Sequence, residues 1–164
     1  MAKWKQGKLP TKNLLGYNGK QEYLTYRSSW EFKAIKFIIN LVKLGKVRSW
    51  NSEETVIKYY FSLDKEPKPH RYFIDFSLLM SDGSLYLVEV KPKSESAIIK
   101  ENTIVEYKPP RQGRSQKSNE HKMITYVRNG DKWNATCKLC QDLTRNTGVK
   151  HNFVIWTEEN LKIK

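Results

Sequence analysis

The stretch from Tyr72 to Lys91, YFIDFSLLMSDGSLYLVEVK, decides how this chain folds. Two runs of aliphatic, aromatic and β-branched residues flank Ser81-Asp82-Gly83, the pattern of two antiparallel strands, Arg71 to Met80 and Ser84 to Lys91, joined by a tight turn. Pro92 ends the second strand because it has no donor for a ladder. Asp75 lies inside the first strand, and Glu89 and Lys91 inside the second. Charges in apolar strands are costly unless they are paired, bound to metal or placed at a sheet edge. Glu89 and Lys91 are two apart, so they point to one face.

Whether Asp75 joins that face depends on register. With a two-residue loop, Asp82-Gly83, Ser81 pairs with Ser84 and Asp75 falls opposite Val90. With a three-residue loop, Ser81-Asp82-Gly83, Met80 pairs with Ser84 and Asp75 falls opposite Glu89. Three-residue hairpins favour a type I turn followed by a residue of positive φ, and Gly83 sits there. The longer loop is therefore the expected one. Carboxylates opposed at ~5 Å repel unless a cation lies between them, so this register builds a metal site.

Working outward, Ser28-Ser29-Trp30-Glu31 reads as a capping box with Ser28 as N-cap. An amphipathic helix follows through Ile35, Ile38, Ile39 and Val42, and Gly45 supplies its stop. Val47 to Trp50 and Thr55 to Phe61 read as strands, and Asp64 to Pro69 as a charged loop. Residues 119–127 fit no single pattern. A second helix is expected from Asp131 to Asn146, with Trp133, Cys137, Cys140 and Thr144 on one stripe and Gly148 at its end. Phe153 to Trp156 is a last strand, and Thr157-Glu158-Glu159 starts a terminal turn. The order α, β, β, β, β, α, β predicts an α/β (α+β) fold, with a central mixed sheet of four to five strands flanked by two main helices.

At 164 residues the chain is expected to form a single domain over 1–164. Lys and Arg number 30 against 17 Asp and Glu, a net charge of +13 that makes a polyanion the natural partner. The aromatic share of 12% argues against a disordered polycation, because large rings supply the burial that folding needs. No apolar run approaches the roughly 20 residues that span a bilayer, which argues against a membrane protein. Lysines near the start have no apolar stretch behind them, unlike a secretory signal. The one CxxC, Cys137 and Cys140, reads as two small buried thiols on one helix rather than half of a zinc site, since no paired histidines complete it.

The surplus charge concentrates in two acid-free segments: a basic N-terminal arm over 1–20, and KPPRQGRSQKSN (Lys108–Asn119) within a mobile basic loop over about 94–119. Lys3, Lys5 and Lys8 in the first, and Lys108, Arg111, Arg114 and Lys117 in the second, are candidates to grip phosphates, as are His70 and Arg71 beside the Asp75 strand. Asp75 and Glu89 are hard oxygen ligands suited to Mg²⁺, with Mn²⁺ an alternative. A bound water can act as nucleophile there, and Lys91 could orient or deprotonate it or meet charge on phosphorus. Residue types alone leave open an equally simple reading, in which Asp75 and Lys91 form a structural ion pair on a solvent-facing side.

The spacing Asp75, thirteen residues, then Glu89-Val90-Lys91 resembles the PD-(D/E)xK nuclease superfamily, with Ile74 where the motif's name has proline. Longer words are more specific: YRSSWE at 26–31, SWNSEETVIKYY at 49–60, HRYFIDF at 70–76, LVEVKPK at 87–93 and FVIWTEENL at 153–161 resemble the head completion nucleases of tailed phages. That resemblance runs from Trp4 to the C-terminus and is weakest between 94 and 120. It implies a restriction-endonuclease-like core and a Mg²⁺-dependent nuclease of double-stranded DNA, without a nucleotide cofactor. By the same likeness, such a protein processes the packaged DNA end in the host cytoplasm before head–tail joining, and portal, connector or joining proteins are candidate partners. The family's first-helix glutamate falls on Glu31, adding a third carboxylate to Asp75 and Glu89 as a catalytic and metal-holding group. Glu53 stays outside that set. The competing readings are a DNA- or connector-binding protein of the same fold without chemistry, and an RNA-binding protein, for which no module signature is present.

Overall fold

The computed structural model of the chain describes residues 6–162. Its elements are β1 (Gly7–Pro10), β2 (Tyr23–Tyr26), α1 (Ser29–Lys43), β3 (Val47–Ser52), β4 (Val56–Tyr60), β5 (Pro69–Phe73), β6 (Phe76–Met80), β7 (Leu85–Val90), β8 (Ile98–Lys100), β9 (Thr103–Glu106), α2 (Gln116–Thr147) and β10 (His151–Trp156). The central sheet has the order β10-β7-β6-β3, with β10 parallel to β7 and the other pairs antiparallel. This is the expected α+β architecture: a four-stranded mixed sheet between two main helices.

The β6–β7 hairpin has the three-residue loop. Phe76 stands opposite Val88 and Leu79 opposite Leu85, Met80 N–H donates to the Ser84 carbonyl at 2.9 Å, and Gly83 has φ 89°. Alternation then sorts the side chains to two cores. Phe76, Leu78, Val88 and Val90 pack with Trp50 of β3 against Ala34, Ile35 and Ile38 of α1. Leu87 and Phe153, on the other face, pack with Ile57, Tyr72 and Ile74 against Trp133, Cys137 and Cys140 of α2. Burial raises the Cys137 thiol to about 11 and the Cys140 thiol to about 12, so both are buried, protonated and free, as the helical stripe predicts. Ser28 caps α1 by accepting from Glu31 N–H, a contact worth about 1 kcal/mol.

The strand expected from Arg71 to Met80 is two strands in two sheets. Val56 pairs with Phe73 and Ser52 with Phe76, so Glu53, Glu54 and Thr55 stand opposite only Ile74 and Asp75. One extra residue makes a bulge. Glu53 takes a positive φ of 54°, and its N–H is shared between the carbonyls of Ile74 and Asp75, both at 3.2 Å. Bulges bend the strand and increase its twist, so β4 and β5 leave the central sheet as a separate hairpin. The Thr55–Phe61 strand is thus real over Val56–Tyr60 but does not enter the central sheet.

Two basic segments are also more ordered than their composition suggests. Residues 94–119 are not one loop: β8 and β9 pair as a hairpin, and α2 begins at Gln116. The helix expected from Asp131 runs continuously from Gln116 to Thr147, through the ambiguous 119–127 and through Gly130, although glycine disfavours a helix interior. Tyr107 explains the exception. It stacks on Tyr126 with centroids 4.2 Å apart, exchanges hydroxyl-to-carbonyl hydrogen bonds with it, and lies against Gly130. The N-terminal segment, from Gly7 on, is not an arm either. β1 and β2 pair, Leu9, Leu14 and Tyr17 pack on the α1-side core, and the Trp50 indole donates to the Leu15 carbonyl at 2.9 Å. Leu161 N–H returns to the Thr157 carbonyl in the expected terminal turn.

A Cβ built on Gly130 would meet the Tyr107 ring at 3.4 Å, an ordinary contact. Gly130→Ala is therefore expected to stabilise the fold by about 0.5–1 kcal/mol through helix propensity, measured as a higher urea midpoint at unchanged m. Gly130→Leu, which must displace Tyr107, is expected to lower it.

Candidate active site

The bulge determines where Asp75 points. Freed from ladder pairing, its Oδ2 accepts the Val90 N–H at 2.8 Å, which ties the end of β5–β6 to β7 and sets Asp75 beside Glu89. Glu89 lies on the α2 face of β7 and is only 5% exposed. Its Oε2 accepts the Tyr72 hydroxyl at 2.5 Å, and its Oε1 is 3.3 Å from Lys91 Nζ. The structure thus brings Asp75, Glu89 and Lys91 together, but through the Asp75–Val90 hydrogen bond and not through the ladder pairing of Asp75 with Glu89 that an unbroken strand would give.

The electrostatics of this group are those of crowded, poorly solvated charge. Burial, then the neighbouring Glu89, push the Asp75 carboxyl well above its usual range, and Glu31 adds to this; the Val90 amide and Lys91 oppose it. Burial and Glu89 likewise hold the Tyr72 phenol protonated, as its donated hydrogen bond needs. Burial pulls Lys91 down, but Glu89 and Asp75 outweigh it, and the ammonium is stabilised overall. Asp75, Glu89 and Tyr72 open on a cleft of about 430 Å³, whose cationic lining is Arg27, Arg71 and Lys132.

Lys132 and Tyr72 were not anticipated. Lys132 projects from α2 with Nζ 5.1 Å from the Tyr72 ring and 5.9 Å from that of Tyr59, and burial lowers its pKa. The only signal for it in the chain is its place beside Trp133 on a stripe whose docking partner the sequence does not reveal. Arg27, just before the Ser28 cap, pairs with Glu53 at 2.9 Å across the cleft wall.

Glu31 stands apart from the pair. Its Oε2 accepts the Arg27 N–H at 2.8 Å and its backbone N–H reaches Ser28 Oγ at 3.1 Å, so the carboxylate is engaged in the cap. It borders a narrow hollow with Glu53 and Asp75 on the α1 side, while Glu89 faces the α2 side. Among the described residues no three His, Cys, Asp or Glu side chains converge as one ligand set. The expected trio is in this structure a pair, Asp75 and Glu89, with Glu31 felt through its charge. Two crowded carboxylates, one of them pushed toward protonation, still fit a divalent cation: Mg²⁺ keeps several waters and commonly takes one or two carboxylates.

The expected phosphate contacts divide. Arg71 lines the cleft. His70 does not: its Nε2 meets Asp64 Oδ2, and its ring packs on Tyr59 and Phe61. Lys8 is exposed on β1, opposite Thr25. Lys108 pairs with Glu106 at 3.3 Å, and Arg111, Arg114 and Lys117 are exposed away from the cleft lining. Lys3 and Lys5 lie outside the described residues.

The family described as TnsA-like endonuclease N terminal matches residues 45–158, a span that includes Asp75, Glu89 and Lys91 and begins after α1. The chain is also similar to the head completion nuclease of Enterobacteria phage T4, at 34% identity over 158 residues, covering 95% of this chain and 93% of that protein. No solved structure matches.

The two roles open to Glu31 separate by substitution. Glu31→Gln keeps an acceptor for the Arg27 amide, whereas Ser28→Ala removes the cap and costs about 1 kcal/mol. If Glu31 serves only the cap, Glu31→Gln keeps both stability and any cleavage activity in a plasmid-nicking assay. Loss of cleavage with an unchanged melting curve assigns its charge to the site.

Proposed function

The chain belongs to the TnsA-like endonuclease N-terminal family, with its restriction-endonuclease-like fold, and we propose that it is a metal-dependent nuclease of double-stranded DNA acting in phage head completion. In that role it would process the packaged DNA end before head–tail joining, working in the host cytoplasm beside portal or connector proteins. The observation that carries the reading is the burial of Asp75 against Glu89 with Lys91 on the same face. A protein that only holds DNA gains nothing from carboxylates in its cationic cleft, because they repel phosphate.

Asp75 and Glu89 would hold the cation; Asp75 Oδ2 and Glu89 Oε2 already accept from Val90 and Tyr72, and Glu89 Oε1 lies 3.3 Å from Lys91 Nζ. Mg²⁺, or Mn²⁺, would supply neutralisation of charge at the phosphoryl oxygen and a lowered pKa for water. The chain's own groups do the rest. Lys91 Nζ would orient the attacking water or meet charge developing on phosphorus. The P–O bond that breaks leaves a hydroxyl on one strand end and a phosphate on the other. Arg71, Arg27 and Lys132 line the cleft as backbone contacts, and Tyr72 and Val90 hold the two carboxylates in place.

Asp75→Asn is expected to abolish cleavage of duplex DNA, since one acid is lost, and to leave the fold at least as stable, since the buried like-charge contact is relieved and the amide oxygen still accepts the Val90 N–H. Lys91→Met is expected to reduce cleavage at least ~100-fold, the lower range for positioned catalytic groups. Both are read by gel assay with Mg²⁺, beside an EDTA control and thermal melts. Retained cleavage in either clean, folded variant, or cleavage in EDTA, overturns the reading; retained head assembly by Asp75→Asn points to a non-catalytic role.

A further inference from the structure

We propose that the outward face of the β4–β5 hairpin, where the exposed rings of Tyr60 and Phe73 flank the cations Lys58 and Arg71 beside the cleft, binds an unpaired single-stranded end of the DNA substrate. The inference deepens the nuclease reading and rests on it.

The hairpin has two unlike faces. Ile57, Tyr59 and Tyr72 turn inward to the α2-side core. The six outward positions form three cross-strand pairs: Val56 with Phe73, Lys58 with Arg71, and Tyr60 with Pro69. All six are exposed, Tyr60 by 61% and Phe73 by 44%. None is acidic. Cross-strand neighbours lie ~5 Å apart, so the face reads as a row: an aromatic with an aliphatic, two cations, then an aromatic with proline. The Arg71 guanidinium is 5.1 Å from the centre of the Phe73 ring, which pairs a flat cation with a flat ring at the end nearer the site.

Position names the occupant. Arg71 and Phe73 also line the cleft that holds Asp75 and Glu89, so a strand leaving that cleft runs directly onto this face. Exposed rings alternating with cations match single-stranded nucleic acid, in which each nucleotide offers one phosphate and one free base face. A paired duplex hides its base faces in the stack and would leave Tyr60 and Phe73 with nothing to cover. The absence of carboxylates on the outward positions likewise suits a polyanion. The bulge at Glu53 makes this possible, because it swings the hairpin out of the central sheet and leaves one of its faces uncovered.

The test is binding in EDTA, where no cleavage intervenes, using a blunt duplex and the same duplex with a single-stranded thymidine tail, read by fluorescence anisotropy at fixed salt. The parent is expected to favour the tailed duplex. Tyr60→Ala and Phe73→Ala each should lower the ratio of tailed to blunt affinity about 5-fold or more, the usual range for loss of a base-stacking ring. Lys58→Gln should weaken the tailed probe more than the blunt one and flatten the salt dependence of the tailed complex. Circular dichroism melts establish that the variants fold, as expected for solvent-facing side chains. Equal affinity of the parent for both probes, a preference for the blunt duplex, no DNA binding, or an unchanged ratio in both ring variants each overturns the proposal. Because the readout needs no metal or turnover, its failure beside intact Mg²⁺-dependent cleavage leaves the nuclease reading standing. Absence of cleavage beside a retained tail preference rejects the nuclease alone.

Discussion

Two carboxylates held side by side on the buried face of a sheet are the constraint around which the rest of this molecule is arranged. Like charges crowded together with little solvent repel, and each disfavours ionisation of the other. The surroundings moderate this without removing it. Val90 donates to Asp75, Tyr72 donates to Glu89, and Lys91 sits 3.3 Å from Glu89, yet Asp75 is still pushed well above its usual range. What remains is an affinity for positive charge, directed into a cleft. The rigid parts needed to hold such a group lie on either side of the sheet, as one apolar core under α1 and another under α2.

The bulge at Glu53 connects that constraint to the fold. A straight strand through Ile74 and Asp75 would have paired Asp75 along a ladder and carried β4 and β5 on in the plane of the sheet. One extra residue on the opposing strand bends it instead. The bend turns Asp75 to the Val90 amide, places Tyr72 over Glu89, and swings out the hairpin whose outer face carries Tyr60, Lys58, Arg71 and Phe73. The cost is a non-glycine residue at φ 54°, offset by the shared hydrogen bonds of its own N–H.

Features governed by local chemistry were readable from the chain. Gly83 at a position of positive φ selected the three-residue loop and hence the register of β6 on β7. The Ser28–Glu31 box marked the start of α1, and the spacing of Trp133, Cys137 and Cys140 marked the buried stripe of α2. The misreadings arose where a distant contact overrides a local signal. The sequence predicts the second helix only from Asp131, but Tyr107 packs against Gly130 and the helix runs from Gln116. Residues 94–106 carry loop composition, yet β8 and β9 pair and Asn102 holds them to β10 through the Phe153 amide and the His151 carbonyl. His70 has the residue type of a phosphate contact, but Asp64 already engages it.

By itself the sequence determined the hairpin register, the placing of Glu89 and Lys91 on one face of their strand, and the cationic character of the chain, because turn chemistry, strand alternation and charge act over a few residues. Only the tertiary structure decided which cations reach those carboxylates. Arg27 comes from the loop before α1 and Lys132 from the middle of α2, and they meet Arg71 in one cleft. It decided also that Glu31 engages its helix cap while Glu89 faces the cleft, since α1 and α2 lie on opposite sides of Asp75. Convergence of that kind depends on packing between segments far apart in the chain, which local chemistry does not encode.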